Sequence, residues 1–251
     1  MNKLTTLLFD VDGTLAETEE IHRQSFNAAF EQAGLDWHWS QQMYTGLLAV
    51  TGGKERIRYY LEKDLPEFTA PGDLDAYIAA LHVAKTAIYT ETVAAGKLPM
   101  RPGVKRLLTE ARQAGLRLGI ATTTTPANVS ALLQHNLAPD AESWFEVIAA
   151  GGVVPAKKPA PDIYHYAMQA MGISAGECLA FEDSANGLLS SRAAGLQTLV
   201  TVSAYTLDHD FSAAALVLDH LGEPDNPFRV ISGTAHGHTM VNVDLLRTLH
   251  S

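Results

Sequence analysis

Cysteine is nearly absent from this chain: its 251 residues include one, Cys178. A lone thiol excludes an internal disulfide framework and favours a reducing compartment, so a cytoplasmic protein is expected. Basic residues are also few. Eighteen Lys and Arg stand against 28 Asp and Glu, a formal net charge of -10. Binding to nucleic acid or to an anionic membrane is therefore not expected. An anionic small substrate would meet a repulsive overall field and would need local positive charge or a metal ion. Met1 to Thr6 contain one lysine and no long apolar stretch, so neither a signal peptide nor a membrane span is expected there. Internal repeats are lacking, and the four threonines 122–125 are too short to count as low complexity. What is present is ordinary for a soluble globular protein: 47 % apolar and 18 % charged residues, in a length that suits one large or two modest domains.

Short apolar runs alternate with amphipathic stretches. Strands are predicted at 5–10, 117–122, 146–150, 178–182, 196–202 and 215–218, and their continuous apolar character suits strands buried on both faces of a parallel sheet. Between them lie helical patterns at 104–114 (Val104, Leu107, Leu108, Ala111), 161–171 (Ile163, Tyr166, Ala167, Ala170, Met171) and 184–194 (Ala185, Leu188, Leu189, Ala193), each followed by glycine. The alternation argues for an α/β core with a doubly wound, Rossmann-like parallel sheet. Residues 17–95 break this pattern. They show helical periodicity at 18–33, 53–62 and 73–92 and no convincing buried strand. They read as an inserted all-helical cap domain of residues 17–96 on a core of 1–16 plus 97–251, the layout of a hinged lid. The tail after Leu221 begins as a loop and has no clear assignment.

Four chemical features fall at predicted strand ends. The first is Asp10-Val-Asp12-Gly13-Thr14, directly after Leu7-Leu8-Phe9. A strand that buries its apolar residues cannot cheaply bury a carboxylate, so Asp10 should project from its carboxyl end. The others are Thr122, Lys158 just before a helix, and the acidic pair Glu182-Asp183. Ligands of open parallel sheets bind at the carboxyl ends of strands, where all four would meet. Phosphoryl transfer needs such a set. A carboxylate nucleophile must attack an anionic group whose charge is first neutralised. Asp10, the main-chain carbonyl of Asp12 and Asp183 offer hard oxygens suited to Mg²⁺. Lys158 and Thr122 can hold phosphoryl oxygens. Asp12 is placed to protonate the leaving oxygen and then to activate water.

The four motifs, in this order from residue 9 to 184, resemble those of the haloacid-dehalogenase superfamily of phosphohydrolases. The resemblance implies Asp10 as nucleophile, Asp12 as acid/base, Thr122 and Lys158 on phosphate, and Glu182 and Asp183 at the metal. The helical region is similar to the cap of the subgroup that contains β-phosphoglucomutase. Within that subgroup, Leu47 to Ile57, Ala121 to Asn128 and Asp219 to Pro224 most resemble CbbY-type sugar-bisphosphate phosphatases. That resemblance implies a small phosphorylated sugar, xylulose 1,5-bisphosphate, as substrate. The implied function is a Mg²⁺-dependent phosphatase acting through an aspartyl phosphate, with a mutase as the alternative. One departure counts against the mutase: Val83 stands where its cap helix has a lysine, with Lys85 two positions on.

Candidate substrate-binding residues are Glu17, Gly52, Gly53, Lys54, Thr123 and Asn128. The Gly52-Gly53-Lys54 turn before a helix suits a second phosphate, because glycines allow close backbone approach and a helix start favours an anion. Glu17 is read either as a ligand for a sugar hydroxyl or as a solvent-exposed hinge residue. Asn128 is read either as a phosphate contact or as a helix cap. Plainer readings apply elsewhere: Lys157 as a surface lysine, Cys178 as inert core, Trp37 and Trp39 as cap packing. A monomer is the default expectation.

Overall fold

The computed structural model describes residues 3–50, 52–96 and 98–251. Met1, Asn2, Thr51 and Lys97 lie outside the described residues, Thr51 within the stretch that carries part of the family resemblance. The chain divides into two compact units, Thr18–Lys97 and a second made of Met1–Glu17 with Leu98–Ser251.

The unit formed by Thr18–Lys97 contains helices α1 (Glu19–Gln32), α2 (Gln41–Leu47), α3 (Gly53–Asp64) and α4 (Leu74–Ala94). Helix α2 was not anticipated from the sequence; Ser40 starts it by accepting a hydrogen bond from the Met43 amide. The core of this unit is aromatic. Trp39 is fully buried; it lies tilted against Phe26 and Tyr44 at centroid distances of 4.7 and 5.9 Å and edge-on to Phe30 and Tyr60 at 5.0 and 5.4 Å. Trp37 packs edge-on to Phe30 and Phe68. The two tryptophans are packing residues, as the sequence suggested.

The other unit is built on a seven-stranded sheet. Its strands are β1 (Thr6–Phe9), β2 (Arg117–Ala121), β3 (Val147–Ala149), β4 (Cys178–Glu182), β5 (Gln197–Thr201), β6 (Leu216–Leu218) and β7 (Val230–Gly233), in the order β3-β2-β1-β4-β5-β6-β7. The six predicted strands are parallel. A seventh strand, β7, which the sequence did not suggest, runs antiparallel to β6 at the edge of the sheet. Helices α5 (Val104–Gln113), α6 (Pro126–Leu132), α7 (Asp162–Met171), α8 (Ala185–Ala193) and α9 (Val243–His250) complete the unit.

Strand β1 lies inside the sheet, with Leu8 opposite Gly119 of β2 and Ala180 of β4. Leu8, Ala121, Ala149 and Ala180 pack under α7 through Ile163, Tyr164, Ala167 and Met171. Strand alternation sends Leu7 and Phe9 to the opposite face, where Phe9 stacks on Phe181 at 4.3 Å. Two predicted helix faces need correction. In α7 Tyr166 and Ala170 are exposed, and Tyr164 and Met168 are buried instead. In α8 Leu189 and Ala193 are exposed, while Ser190 and Ser191 face inward. Ser190 donates to the Ala160 carbonyl and Ser191 pairs with Thr198, so these buried hydroxyls are satisfied.

Candidate active site

The main-chain amide of Asp10 still belongs to the sheet, donating to the Phe181 carbonyl at 3.0 Å. Its side chain is the first group beyond β1 and is buried. After it the chain reverses tightly: Leu15 donates to the Val11 carbonyl at 2.9 Å and Gly13 to the Ala16 carbonyl at 2.8 Å. Gly13 has φ 78°, and a Cβ on it would come within 2.1 Å of Asp183 Oδ2. Only glycine lets this turn close against the second acidic strand end. The buried Thr14 hydroxyl of the turn has no hydrogen-bond partner among the described residues.

Lys158 converges on Asp10 from the loop before α7. Its Nζ donates to Asp10 Oδ1 and to Glu182 Oε1, both at 2.6 Å. Tyr164 donates its hydroxyl to the same Glu182 oxygen at 2.5 Å, and its ring carries the lysine ammonium 5.2 Å from the centroid. The neighbouring Lys157 is exposed, as expected. Burial, with Glu182 and Asp12 close by, pushes the Asp10 carboxyl up to about 7 despite Lys158. Burial works against charge on Lys158 too, but Asp10 and Glu182 outweigh it and hold the ammonium above its ordinary range. Burial first, then the same carboxylates, lifts the Tyr164 phenol well above its usual value.

Asp10, Glu182 and Asp183 are all buried, and their ligand oxygens lie within 4.8 Å of one another. Three carboxylates with one lysine leave an excess of negative charge and a set of hard oxygens, and these residues fit a divalent cation of the Mg²⁺ type. Glu182 is also engaged by Lys158 and Tyr164, a pairing that its place in the motif does not reveal. Gly187 of α8 makes room for it, because a Cβ there would come within 1.8 Å of Glu182 Oε2.

Thr122 follows β2 and is buried; its hydroxyl accepts the Thr124 amide at 3.3 Å. Thr123 is half-buried. Asn128 is buried in α6, but it is not the cap of that helix: Thr125 caps it, accepting the Asn128 amide. Glu17 pairs with Arg101, Oε1 to Nε 3.0 Å. Arg101 is a buried residue that the sequence reading passed over, because a lone arginine before Pro102 looks like a solvated joint.

In the Thr18–Lys97 unit, Gly52 (φ 104°) precedes α3, Gly53 opens it and Lys54 is exposed. The His82 ring lies against Gly53. Burial first, then Lys85, Lys54 and His22 against Glu55, pushes the His82 imidazole down to about 4. Val83 is 67 % exposed, whereas Lys85 is buried with its Nζ 2.6 Å from His22 Nδ1 and over the Phe26 and Tyr89 rings. The inward-facing lysine of this helix is therefore Lys85.

Residues 4–195 match the model of the haloacid dehalogenase-like hydrolase family. Protein CbbY of Cupriavidus necator is 50 % identical over 93 % of this chain and 92 % of its own length. Protein CbbY of Rhodobacter capsulatus is 53 % identical over 84 % and 91 %. Among solved structures, a D10N mutant of CbbY from Rhodobacter sphaeroides in complex with xylulose 1,5-bisphosphate is 43 % identical with TM-score 0.80, covering 87 % of this chain and 96 % of that one. A β-phosphoglucomutase from Clostridium difficile, 18 % identical with TM-score 0.69 over 86 % and 91 %, shares the fold.

Proposed function

Because this chain belongs to the haloacid dehalogenase-like hydrolase family and is an enzyme of that family, we propose that it is a Mg²⁺-dependent phosphatase of a sugar bisphosphate, with xylulose 1,5-bisphosphate as the first candidate. The observation that carries this reading is Lys158 bridging Asp10 and Glu182 at 2.6 Å at the end of an inner strand, beside Asp183.

In this reading an Asp10 oxygen attacks phosphorus, the bond from phosphorus to the sugar oxygen breaks, and the Asp12 carboxyl gives its proton to that oxygen. Asp12, now a carboxylate, takes a proton from water as the water attacks phosphorus, and Asp10 is released with inorganic phosphate. Asp10, the Asp12 carbonyl and Asp183 would hold a Mg²⁺ ion, which would supply the charge neutralisation that a carboxylate needs to approach phosphate. Lys158 and the Thr122 hydroxyl hold phosphoryl oxygens, and Glu182 holds Lys158. Glu17, Thr123 and Asn128 are assigned to the sugar phosphate, and Gly52, Gly53 and Lys54 of the helical unit to its other phosphate. The enzyme acts as a monomer. The relatives named CbbY, and the bisphosphate bound to one of them, support this choice of substrate.

The second reading is a β-phosphoglucomutase-like isomerase, favoured by the buried Lys85 in the helix where a mutase carries its lysine. Incubation with Mg²⁺ and either xylulose 1,5-bisphosphate or β-glucose 1-phosphate, followed by phosphorus NMR, separates the two. Inorganic phosphate should accumulate from the bisphosphate. An isomer formed without phosphate release would establish the mutase instead.

A further inference from the structure

Arg101 joins four parts of one unit with one side chain. Its backbone runs antiparallel to the nucleophile turn: Met100 bridges Ala16, and the Arg101 amide donates to the Leu15 carbonyl at 2.8 Å. The buried guanidinium then reaches across the carboxyl ends of the strands. Nη1 donates to the Gly13 carbonyl and to Thr201 at the end of β5, 3.0 Å to its carbonyl and 3.2 Å to its hydroxyl. Nη2 donates to the Val202 carbonyl at 2.5 Å and the Asp219 carbonyl at 2.7 Å. Nε meets Glu17. A guanidinium has five N–H donors in a rigid plane, and here the plane is fully used.

Most of these acceptors are neutral carbonyls, and the one carboxylate, Glu17, is 44 % exposed. Such an arrangement is a poor way to gain stability, because a buried charge gives up its hydration and well-packed apolar residues often do as well. What a planar fork offers beyond an apolar side chain is fixed geometry. The fixed points are the Gly13 carbonyl, one residue after Asp12, and the Glu17 carboxylate.

We propose that Arg101 is a positioning residue for phosphoryl transfer: it locks the Asp12-Gly13 turn to the strand ends and aims Glu17 at the substrate. This inference rests on the phosphatase reading. It predicts that turnover depends on the shape of the guanidinium and not merely on a cation or on packing. A cavity of 230 Å³ lined by Glu17, Met100, Arg101, Asp219 and His220 opens onto the side chain, so a small guanidinium ion can enter a truncated variant.

The test uses the full chain with Mg²⁺ and xylulose 1,5-bisphosphate. Arg101→Ala should keep its circular dichroism and lose about 10²-fold in kcat. Tens of millimolar guanidinium should restore about tenfold, while methylammonium at equal concentration should restore nothing. Unchanged kcat, or equal rescue by both ions, would overturn the proposal. If Arg101→Ala fails to fold, Arg101→Lys decides: with its melting temperature kept, a loss of about tenfold or more supports the proposal and near-parental turnover overturns it. Asp10→Asn runs alongside. Turnover persisting there removes the phosphatase reading itself, whereas a silent Asp10→Asn beside a fully active Arg101→Lys removes the Arg101 proposal alone.

Discussion

Asp10 faces two opposed demands. As the proposed nucleophile it must be ionised to attack phosphorus, yet burial and neighbouring carboxylates lift it to about 7. Lys158 answers part of this, and Glu182 holds Lys158 with help from Tyr164. The room for Glu182 depends on one missing methyl group. Gly187→Ala places a Cβ where the Glu182 carboxylate now lies, so the carboxylate must leave Lys158. We expect kcat to fall about 10²-fold and the unfolding free energy by about 1–3 kcal/mol. Steady-state kinetics with urea unfolding measures both, and a fully active Gly187→Ala would show that the contact between Glu182 and Lys158 is dispensable. At this scale the sequence was legible where motifs fix chemistry: Asp10, Lys158, Glu182 and Asp183 come together as their order implied. It was not legible where a side chain's role depends on distant carbonyls, as for Arg101. Tyr164 was missed because a period of 3.6 fits Tyr166 equally well.

The elements that were easy to read have strong apolar faces. Helix α5 buries Val104, Leu107, Leu108 and Ala111, as the spacing predicted. Those that were missed have weak ones or are short. Strand β7 is four residues long and exposed throughout. Helix α2 has seven residues, including Gly46. Helix α9 buries Val243, Leu245 and Leu246, and it escaped notice because it is only eight residues long and follows a loop-rich tail. Between α3 and α4, His82 predicts an acid-sensitive contact. Its imidazole, lowered from 6.5 to about 4, favours the neutral form in the fold. A group depressed in this way contributes stability above pH 6.5 that is lost as pH falls through about 4. Unfolding followed by tryptophan fluorescence should therefore weaken from pH 6.5 to 4, and His82→Gln should flatten that part of the profile. An unchanged profile would remove His82 as the cause.

For the molecule as a whole, a net charge of -10 repels the proposed bisphosphate, so in that reading a cation has to neutralise charge at the site. Among the described residues one group of carboxylates is arranged to take it. EDTA should abolish turnover and Mg²⁺ should restore it. Protons compete with the metal for Asp10, so the apparent Mg²⁺ dissociation constant should fall as pH rises from about 6 to 8, by up to about tenfold per unit for a single competing proton. Calorimetric titration at pH 6, 7 and 8 checks this, and equal affinity throughout would mean that Asp10 is not a ligand. Among the described residues no helix is long and apolar enough to cross a membrane.

The inner position of β1 also bears on how the polypeptide assembles as it leaves the ribosome. Thr6–Phe9 emerges early, but its neighbours at Arg117 and Cys178 lie far downstream. The helical unit is continuous from Thr18 to Lys97, so it can fold during that delay, whereas the sheet must wait for long-range pairing. Until Cys178–Glu182 has been synthesised, the apolar Leu7, Leu8 and Phe9 lack the neighbour that completes their burial.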